Sequence, residues 1–441
     1  MQLSNAEAQY VEMAKEHIIM ARMDKAEPSG PVLERAEGSI VWDVNGKSYI
    51  DFNSGQMCSA LGHRAPRIVK AIKDACDTLI HASSSFFNVN DTTLAKKVAS
   101  ILPRPLKRSL FLDSGSDSNE AAMTAAKRYS GRYEIASPHV SFHGFSESAR
   151  AVTFAGWHRG YGPYAPGTYA FMAPYCYRCP IGLKFPSCKI ACLDGGFDVL
   201  DSQTDVGAAA AITEPLFSAG GVIDPPRGWL TKLKKKCRER GMLLILDEAQ
   251  TGLAKLGKMW AFQREEDAVP DIVTMSKHFG GGISISAMST TDEIADRIQG
   301  QGFIHGHSHS ADPLACAAAI ASVDMIVEDD LPTKAQEIGT YWNRHLRELA
   351  SRHQLIGDIR GEGLLQGIEL VKDRDTKEPA YEEGRIIERY CVDHGLFFSV
   401  RRGGSVLRFV PPWTTTREQF DRAAEILDEA LTAAETKLVA S

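Results

Sequence analysis

The chain has 441 residues, of which 44% are apolar and 24% charged. That length exceeds what a single hydrophobic core supports, so two or three domains are expected. The formal net charge of −6 argues against a protein that holds nucleic acid through phosphate contacts. No apolar run approaches the length of a membrane span, and the first thirty residues lack the apolar core of a signal peptide. We therefore expect neither a nucleic acid nor a membrane as partner.

The predicted elements change character twice along the chain. Residues 39–52 alternate apolar and polar side chains around Asn45-Gly46, a pattern typical of a β-hairpin. From about 66 to 325, helical segments alternate with short apolar strands, which predicts a mostly parallel α/β sheet. A long helix from Lys334 to His353 then opens a different pattern of strands and helices. We predict a small α+β domain built from 1–65 and 326–441, and a large α/β domain over 66–325.

The nine cysteines are an odd number, which favours a reduced protein in the cytoplasm over a disulfide framework. Four of them cluster with the spacing C-x2-C-x8-C-x3-C, at Cys176, Cys179, Cys188 and Cys192. Such a cluster has the residue type and number of a zinc site, although its second pair does not have the usual zinc-ribbon spacing. The alternative is a surface loop with free thiols.

A carboxylate follows a buried strand at Asp247. Residues 242–246 are continuously apolar, as in the strands of a parallel sheet. Ligands of open α/β sheets lie just beyond the carboxyl ends of the strands, and a buried carboxylate is costly without a cation or hydrogen-bond donors. Asp247 is therefore expected to face a ligand cation, the alternative being a strand-end residue that caps a turn.

Three other features follow predicted strands. The turn Ser114-Gly115-Ser116 begins a helix whose N-terminus suits a phosphate group. Phe142 is placed to lie on a planar ligand, and Lys277 precedes a glycine triplet, where a desolvated amine becomes nucleophilic. A phosphate, a flat ring, a pyridinium nitrogen and an aldehyde occur together in pyridoxal 5′-phosphate (PLP), so the sequence predicts this cofactor.

The order and spacing of these motifs resemble a known enzyme family over almost the whole chain. The stretches SGSDSNEAAMTAAKRYSGR, FHG, LDEAQTGLAKLGKMWAF and SKHFGGG resemble the class III PLP-dependent aminotransferases. Within that family the chain is most similar to the 2,2-dialkylglycine decarboxylase group, through DFNSGQM (51–57) and VLRFVPP (406–412). The resemblance implies aminotransferase fold type I, with the sheet of the large PLP-binding domain sandwiched by helices. It also implies a homodimer or a dimer of dimers, with the active site at the subunit interface.

The resemblance also implies roles for individual residues. Lys277 matches the lysine that forms a Schiff base with PLP and moves protons, and Asp247 matches the partner of the pyridine nitrogen. Gln56 matches a catalytic glutamine beside the carboxylate that is lost. The other residues implied to bind the cofactor are Ser114, Gly115, Ser116, Phe142, His143, Glu214, Gln250 and, from the second subunit, Ser308.

Further residues are implied to bind substrate or metal. Arg408, with Gln56 and Phe142, matches the substrate-binding positions, and arginine suits bidentate binding of a carboxylate. Ser84, Ser308 and Asp312 match part of an alkali-metal site for K⁺ or Na⁺. The chain departs from the decarboxylase pattern in carrying Phe142 where that group has Trp.

Three functions are compatible with these motifs. The first is a decarboxylating transferase, a lyase as well as a transaminase, that acts on 2,2-dialkylglycine-type or other small amino acids with a 2-oxo acid such as pyruvate as acceptor. The second is an ordinary class III or ω-aminotransferase of an amino acid or amine. The third is a fold-type I scaffold without activity, against which the joint presence of Lys277, Asp247 and Gln250 argues.

Overall fold

The computed structural model of the chain describes residues 4–19, 21, 31–156 and 160–440, without the side chains of the last two. Parts of the predicted segment 1–65, at 1–3, 20 and 22–30, lie outside the described residues. The chain divides into two compact units. The small domain comprises the described part of Met1–Ala65 with Tyr341–Ile359 and Ile368–Ser441, and the large domain comprises Pro66–Thr340 and Arg360–Gly367.

In the large domain most described strands are followed by a helix, whereas in the small domain strands follow one another in groups. The helices are α1 (Asn5–His17), α2 (Pro66–Cys76), α3 (Val89–Ile101), α4 (Gly115–Ser130), α5 (Glu147–Ala151), α6 (Ala191–Gln203), α7 (Trp229–Glu239), α8 (Asp292–Gly300), α9 (Pro313–Glu328), α10 (Leu331–Arg352), α11 (Tyr381–Asp393) and α12 (Arg417–Ala440). The strands are β1 (Leu33–Glu37), β2 (Ile40–Asp43), β3 (Ser48–Asp51), β4 (Leu106–Leu112), β5 (Ile135–Pro138), β6 (Thr168–Phe171), β7 (Ala210–Thr213), β8 (Leu243–Asp247), β9 (Ile272–Met275), β10 (Ser286–Thr291), β11 (Ile356–Glu362), β12 (Leu365–Leu370), β13 (Leu396–Phe397), β14 (Ser399–Arg401) and β15 (Val406–Phe409).

The large-domain sheet has seven strands in the order β4-β10-β9-β8-β7-β5-β6. Strand β10 is antiparallel to both of its neighbours, β4 and β9. The other pairs, from β9 across to β6, are parallel. Because β10 alone is reversed, the carboxyl ends of the remaining six strands meet at one edge of the sheet. This confirms the predicted mostly parallel sheet and defines the edge where a ligand is expected.

Helix α4 lies against this sheet because its inner face consists of small side chains. Ala121, Ala122, Ala125 and Ala126 are fully buried in one cluster with strand residues that include Ile245. Alanine has the highest helix propensity and lets a helix axis approach a sheet closely. The packing fixes the position of the N-terminus of α4, where the predicted phosphate turn lies.

The small domain contains the predicted hairpin. Strands β2 and β3 pair antiparallel across Asn45-Gly46, and the N–H of Gly46 donates to the carbonyl of Asp43 at 2.9 Å. Gly46 has a φ of 81°, a left-handed conformation that glycine adopts without steric cost. Two four-stranded sheets are present beyond the seven-stranded one, β1-β2-β3-β13 and β11-β12-β15-β14.

The division between the domains differs from the predicted boundary at 325. Residues 326–340 and 360–367 group with the large domain. The segment 360–367 is anchored there by hydrogen bonds: the N–H of Leu364 donates to the carbonyl of Lys255 at 2.9 Å, and Gln366 Nε2 donates to the carbonyl of Gly339 at 2.7 Å. Among the described helices, none is long and apolar enough to cross a membrane.

Candidate active site

Two predicted site residues follow strands that end at the same edge of the sheet. Strands β8 and β9 are in parallel register, with Asp247 opposite Thr274. Asp247 is the last residue of β8, and Lys277 follows the end of β9 by two positions. The predicted carboxylate and the predicted amine therefore leave adjacent strands at the same edge, although they are thirty positions apart in the sequence.

The Asp247 carboxylate is buried and surrounded by hydrogen-bond donors. Asn119 Nδ2 donates to Asp247 Oδ2 at 2.7 Å, and the N–H of Ala249 donates to Oδ1 at 3.0 Å. His143 Nδ1 lies 2.9 Å from Oδ2, so a ring with its proton on Nδ1 donates as well. Three donors make burial of the carboxylate tolerable, and Oδ1 keeps acceptor capacity for one more partner.

The residues that orient Asp247 are themselves fixed. Asn119 receives a hydrogen bond from Thr274 Oγ1 at 2.7 Å and donates a second one to the carbonyl of His143 at 2.8 Å. The His143 N–H donates to Thr153 Oγ1 at 2.8 Å. His143 Nε2 lies 3.3 Å from Ser137 Oγ. Both ring nitrogens of His143 are therefore engaged inside the protein, one of them with Asp247.

Lys277 adopts a left-handed backbone conformation, with a φ of 56°. For a residue with a Cβ this conformation costs on the order of 1 kcal/mol, and such outliers cluster at functional sites. One glycine of the triplet that follows is closely packed. A Cβ on Gly281, which has a φ of 58°, would lie 2.2 Å from Ile68 Cδ1 of α2 and 2.9 Å from Ser322 Oγ.

The predicted phosphate turn is the N-terminus of α4. Ser114 is the N-cap, and a capping box with Asp117 satisfies its own N–H and that of Asp117. The N–H groups of Gly115 and Ser116 belong to the first turn, where a helix supplies no internal acceptor. The N–H of Phe145 donates to Ser116 Oγ at 3.2 Å. Gly144 permits this approach, since a Cβ there would lie 2.0 Å from Ser116 Oγ.

The loop after β5 is held by a buried glutamate. The N–H of Phe142 donates to Glu214 Oε1 at 3.1 Å, and the N–H of Ser218 donates to Oε2 at 3.2 Å. The half-buried ring of Phe142 contacts Phe145 edge-on, with centroids 5.1 Å apart. Glu214 therefore positions the Phe142 backbone, and through it the ring.

The other predicted site residues differ in burial and in the domain to which they belong. Gln250 is buried one turn after Asp247, and Ser84 and Ser308 are exposed. The Asp312 carboxylate lies 2.6 Å from both His81 Nδ1 and His309 Nδ1, so imidazole rings are its hydrogen-bond partners. Gln56 and Arg408 belong to the small domain. The alkali-metal site at Ser84, Ser308 and Asp312 stays a prediction.

The large-domain residues fit PLP by the chemistry of their donors. A helix N-terminus with two unused N–H groups suits the phosphate dianion, and the Gly144–Ser116 approach shapes the surrounding loop. A buried carboxylate with spare acceptor capacity suits a pyridinium N–H, and a lysine at the adjacent strand end suits the aldehyde.

Asn119 and Thr274 are functional residues that sequence reasoning missed. The available signal was a polar Asn119 on the buried face of a helix rich in alanine.

Comparison with known proteins agrees with this fit. The family model for class III aminotransferases matches residues 22–431. The chain belongs to the class III aminotransferases. These enzymes depend on PLP, and the chain is accordingly a PLP-dependent class III aminotransferase.

Individual relatives cover most of this aminotransferase. It is 38% identical to an uncharacterized aminotransferase of Schizosaccharomyces pombe over 91% of its own length and 90% of that protein. It is 34% identical to the leucine/methionine racemase of Thermococcus litoralis, over 91% and 90% of the two chains. The crystal structure of taurine:2-oxoglutarate aminotransferase from Bifidobacterium kashiwanohense, in complex with PLP and glutamate, superposes with a TM-score of 0.90 at 28% identity, covering 99% of this chain and 100% of that one.

Proposed function

We propose that this aminotransferase moves the amino group of a small amino acid to a 2-oxo acid such as pyruvate, and that it releases carbon dioxide from 2,2-dialkylglycine-type donors. Bound PLP supplies an aldehyde for the donor amine and a ring that accepts electrons from the substrate α-carbon. Lys277 is proposed as the amine that holds the cofactor and moves the proton at the α-carbon.

Asp247 is proposed to keep the ring nitrogen protonated. Its carboxylate provides the fixed negative charge, and Asn119 and His143 keep that charge in one orientation. Gly115 and Ser116 N–H groups bind the phosphate, while the Phe142 ring, positioned by Glu214, lies against the cofactor ring. The proposal is supported by the hydrogen bonds that hold the Asp247 carboxylate and cap α4, because electrostatic preorganisation of this kind lowers a barrier.

The observation that carries the substrate proposal is the backbone around Gln56. Four consecutive residues, Ser54, Gly55, Gln56 and Met57, have φ values of 47°, 52°, 60° and 72°. Left-handed residues normally occur singly, because each one with a Cβ is sterically strained. A strained turn of this kind indicates a functional constraint on the side chains it presents.

Local hydrogen bonds hold this turn in place. Asp51 accepts from the N–H of Asn53 at 2.9 Å and from the N–H of Gly55 at 2.8 Å. The ring of His63 lies 2.8 Å from the same carboxylate, and Ser54 Oγ donates to the carbonyl of Val410 at 2.5 Å. A neutral amide such as Gln56 suits a leaving carboxylate, since a cation there would favour the ground state over the transition state.

Arg408 is proposed to bind the carboxylate that the substrate keeps. It is buried on β15, and its Nε donates to Ser399 Oγ, on the paired strand β14, at 2.9 Å. This contact fixes the orientation of the guanidinium plane. A planar, oriented guanidinium binds a carboxylate in a bidentate manner.

Racemisation of an aliphatic amino acid is a second candidate function. It is favoured by the 34% identity to a leucine/methionine racemase over 91% of the chain. A racemase breaks the Cα–H bond and returns the proton to the opposite face, so it needs no oxo acceptor. An ordinary aminotransferase also breaks Cα–H but requires the acceptor, and a decarboxylating one breaks Cα–COO⁻.

Three measurements on the PLP-loaded protein distinguish these activities. We expect carbon dioxide release from 2-aminoisobutyrate that depends on pyruvate, and formation of alanine. Loss of optical activity from leucine or methionine without any oxo acid would instead support the racemase. Amino transfer from alanine without carbon dioxide release from a dialkylglycine would leave an ordinary aminotransferase.

The assignment of Lys277 has its own test. Lys277→Ala should fold but give no borohydride-reducible adduct with PLP, whereas Lys258→Ala, on an exposed lysine, should retain the adduct. A full-stoichiometry adduct in Lys277→Ala would show that another lysine holds the cofactor.

We also propose that the chain forms a homodimer. Phe87 and Ile304 are 91% and 92% exposed, on two segments joined by hydrogen bonds such as Asn88 Nδ2 to the carbonyl of Ala311 at 3.2 Å. Large apolar side chains exposed to this degree on neighbouring segments support the proposal of an interface. Ser308 lies on the same segment as Ile304, which fits its expected contact with the partner's phosphate.

A further inference from the structure

The segment between β6 and α6 contains the four clustered cysteines and has little regular structure. Residues 172–190 include a single short 3₁₀ turn, Cys176–Arg178. Loops of this length without secondary structure are uncommon in a compact domain and usually have a function. The proposed transaminase chemistry uses none of these four residues.

The four side chains line one small cavity. Cys176, Cys179, Cys188 and Cys192 line a cavity of about 10 Å³, together with mainly apolar and aromatic residues. A volume of that order has room for one small atom or ion. All nine cysteines of the chain are free, so no disulfide accounts for the convergence.

The backbone turns sharply beside these cysteines. The N–H of Gly182 donates to the carbonyl of Cys179 at 3.1 Å, and the N–H of Ala191 donates to the carbonyl of Cys188 at 3.0 Å. Between Cys188 and Cys192, Lys189 and Ile190 have φ values of 50° and 61°. A left-handed β-branched residue is a genuine outlier and persists only where other interactions impose it. The last two cysteines are therefore presented by a strained turn.

We propose that Cys176, Cys179, Cys188 and Cys192 bind one zinc ion as a structural site. Zinc in closed structural sites takes four ligands in a tetrahedron, and four thiolates are one of its common sets. Each thiol releases its proton on binding, so the site carries two net negative charges. Arg178, Lys184 and Lys189 lie in the same segment and supply compensating positive charge.

Zinc binding draws the sulfur atoms together. Among the described residues, the one group of three or more ligand atoms placed closely enough to hold a metal ion is His81, His309 and Asp312, so the four sulfurs are spread more widely than the ligands of one tetrahedral zinc. The part able to move is the stretch between Cys179 and Cys188, where Ile181, Leu183 and Phe185 are exposed. Contraction of this stretch protects the peptide bond after Lys184 from trypsin.

Metal analysis of the full-length protein, purified without chelator, tests the proposal. We expect about one zinc per chain, and a loss of at least five-sixths of it in Cys176→Ser and in Cys188→Ser. Cys76→Ser, on an exposed cysteine outside the segment, and His81→Ala, which removes a ligand of the imidazole cluster, should retain it. Cobalt substituted for zinc should give the intense visible absorption of tetrahedral thiolate coordination.

Other outcomes overturn the proposal. Less than about one tenth of a zinc per chain, with no cobalt spectrum on reconstitution, shows that the cysteines bind neither ion. Zinc that stays in both cysteine variants and leaves with His81→Ala assigns the metal to the imidazole cluster.

A thiol count of five, four below the nine cysteines of the chain, shows that two disulfides close the segment. Trypsin cleavage after Lys184 that is unchanged by chelator contradicts the contraction. Because the parent protein itself is assayed, misfolding of a cysteine variant does not remove the test.

Discussion

At the scale of single residues, backbone strain and buried charge occur where chemistry is proposed. Lys277 and Gln56, assigned on independent motifs, both have left-handed φ values, 56° and 60°. Asp247 lies in a fully polar, hydrogen-bonded setting at the end of an apolar strand. Its neighbour Glu248 is also buried, yet it has different partners, accepting from the N–H of Phe262 at 3.0 Å and from Thr251 Oγ1. Adjacent carboxylates therefore have different roles.

Asp247→Asn should reduce turnover by about two to three orders of magnitude while the protein still folds. An amide has no negative charge with which to hold a proton on the ring nitrogen, although it keeps the shape that Asn119 and His143 contact. The measurement is kcat for amino transfer with PLP in excess, beside the absorbance of bound cofactor. Glu248→Gln is the matched control and should retain most of the activity. Turnover in Asp247→Asn within a few-fold of the parent would refute the role.

Two buried groups should make stability depend on pH in opposite ways. Burial lowers the pKa of Lys255 from 10.5 to about 7, so the unfolded chain holds a proton that the folded chain has lost between these values. Stability therefore rises with pH across that window, by at most about 1.4 kcal/mol per pH unit. Compared with the parent, Lys255→Met should gain most free energy of unfolding at pH 7 and progressively less towards pH 10.

Burial raises the pKa of Glu248 from 4.5 to about 7, which reverses the sign. The folded chain holds the extra proton between these values, so stability falls as pH rises through them. The gain of Glu248→Gln over the parent should be largest above pH 7 and should vanish near pH 4.5. Urea titrations of both variants at several pH values measure the two windows. A gain that does not change with pH in either variant would show that the folded state already compensates that charge.

At the scale of elements, the sequence predicted what depends on local pattern. The alternation of apolar strands with helices placed Asp247, Lys277 and the Ser114 turn at strand ends, and the sheet brings all three to one edge. It did not predict that Asn119 and His143 hold the carboxylate, because these partners are 128 and 104 residues away from Asp247. No local pattern reports such a contact. The predicted domain boundary at 325 differs from the observed one for a related reason. Helix α10 runs continuously across residue 340, and only tertiary packing assigns its two parts to different domains.

Gly144→Ala should weaken PLP binding at the α4 turn. The new methyl group would lie 2.0 Å from Ser116 Oγ and would push the FHG loop away from the helix N-terminus. We expect the PLP dissociation constant to rise at least tenfold, measured by fluorescence titration of the apoprotein. Gly156→Ala is the control, because its φ of 107° carries similar backbone strain but its Cβ meets nothing within 4 Å. Equal losses in both variants would assign the effect to backbone strain alone.

At the scale of the whole molecule, the exposed apolar side chains bear on the proposed homodimer. The net charge is slightly negative, and about a quarter of the residues are charged, at 24%. Most of the largest buried side chains are aromatic. By contrast, Phe86, Phe87, Val89 and Ile304 expose most of their surface on the segments that flank Ser308. A surface of this kind is stable in water when a second subunit covers it.

Phe87→Asp should convert the assembly towards monomers and lower its activity. A buried aspartate without a partner opposes association, and a stable dimer needs more than about 1,000 Å² of complementary interface. Light scattering after gel filtration should give at least twice the chain mass for the parent and a lower mass, dependent on concentration, for the variant. Tyr133→Asp is the matched control, since Tyr133 is 74% exposed on a different segment of the same domain and should leave the mass unchanged. Because Ser308 is expected to reach the partner's phosphate, activity of Phe87→Asp should rise with protein concentration in parallel with dimer content.

A parent protein that is monomeric and fully active at assay concentration would contradict the shared site. A monomeric Phe87→Asp variant with full activity would show that the subunits work alone.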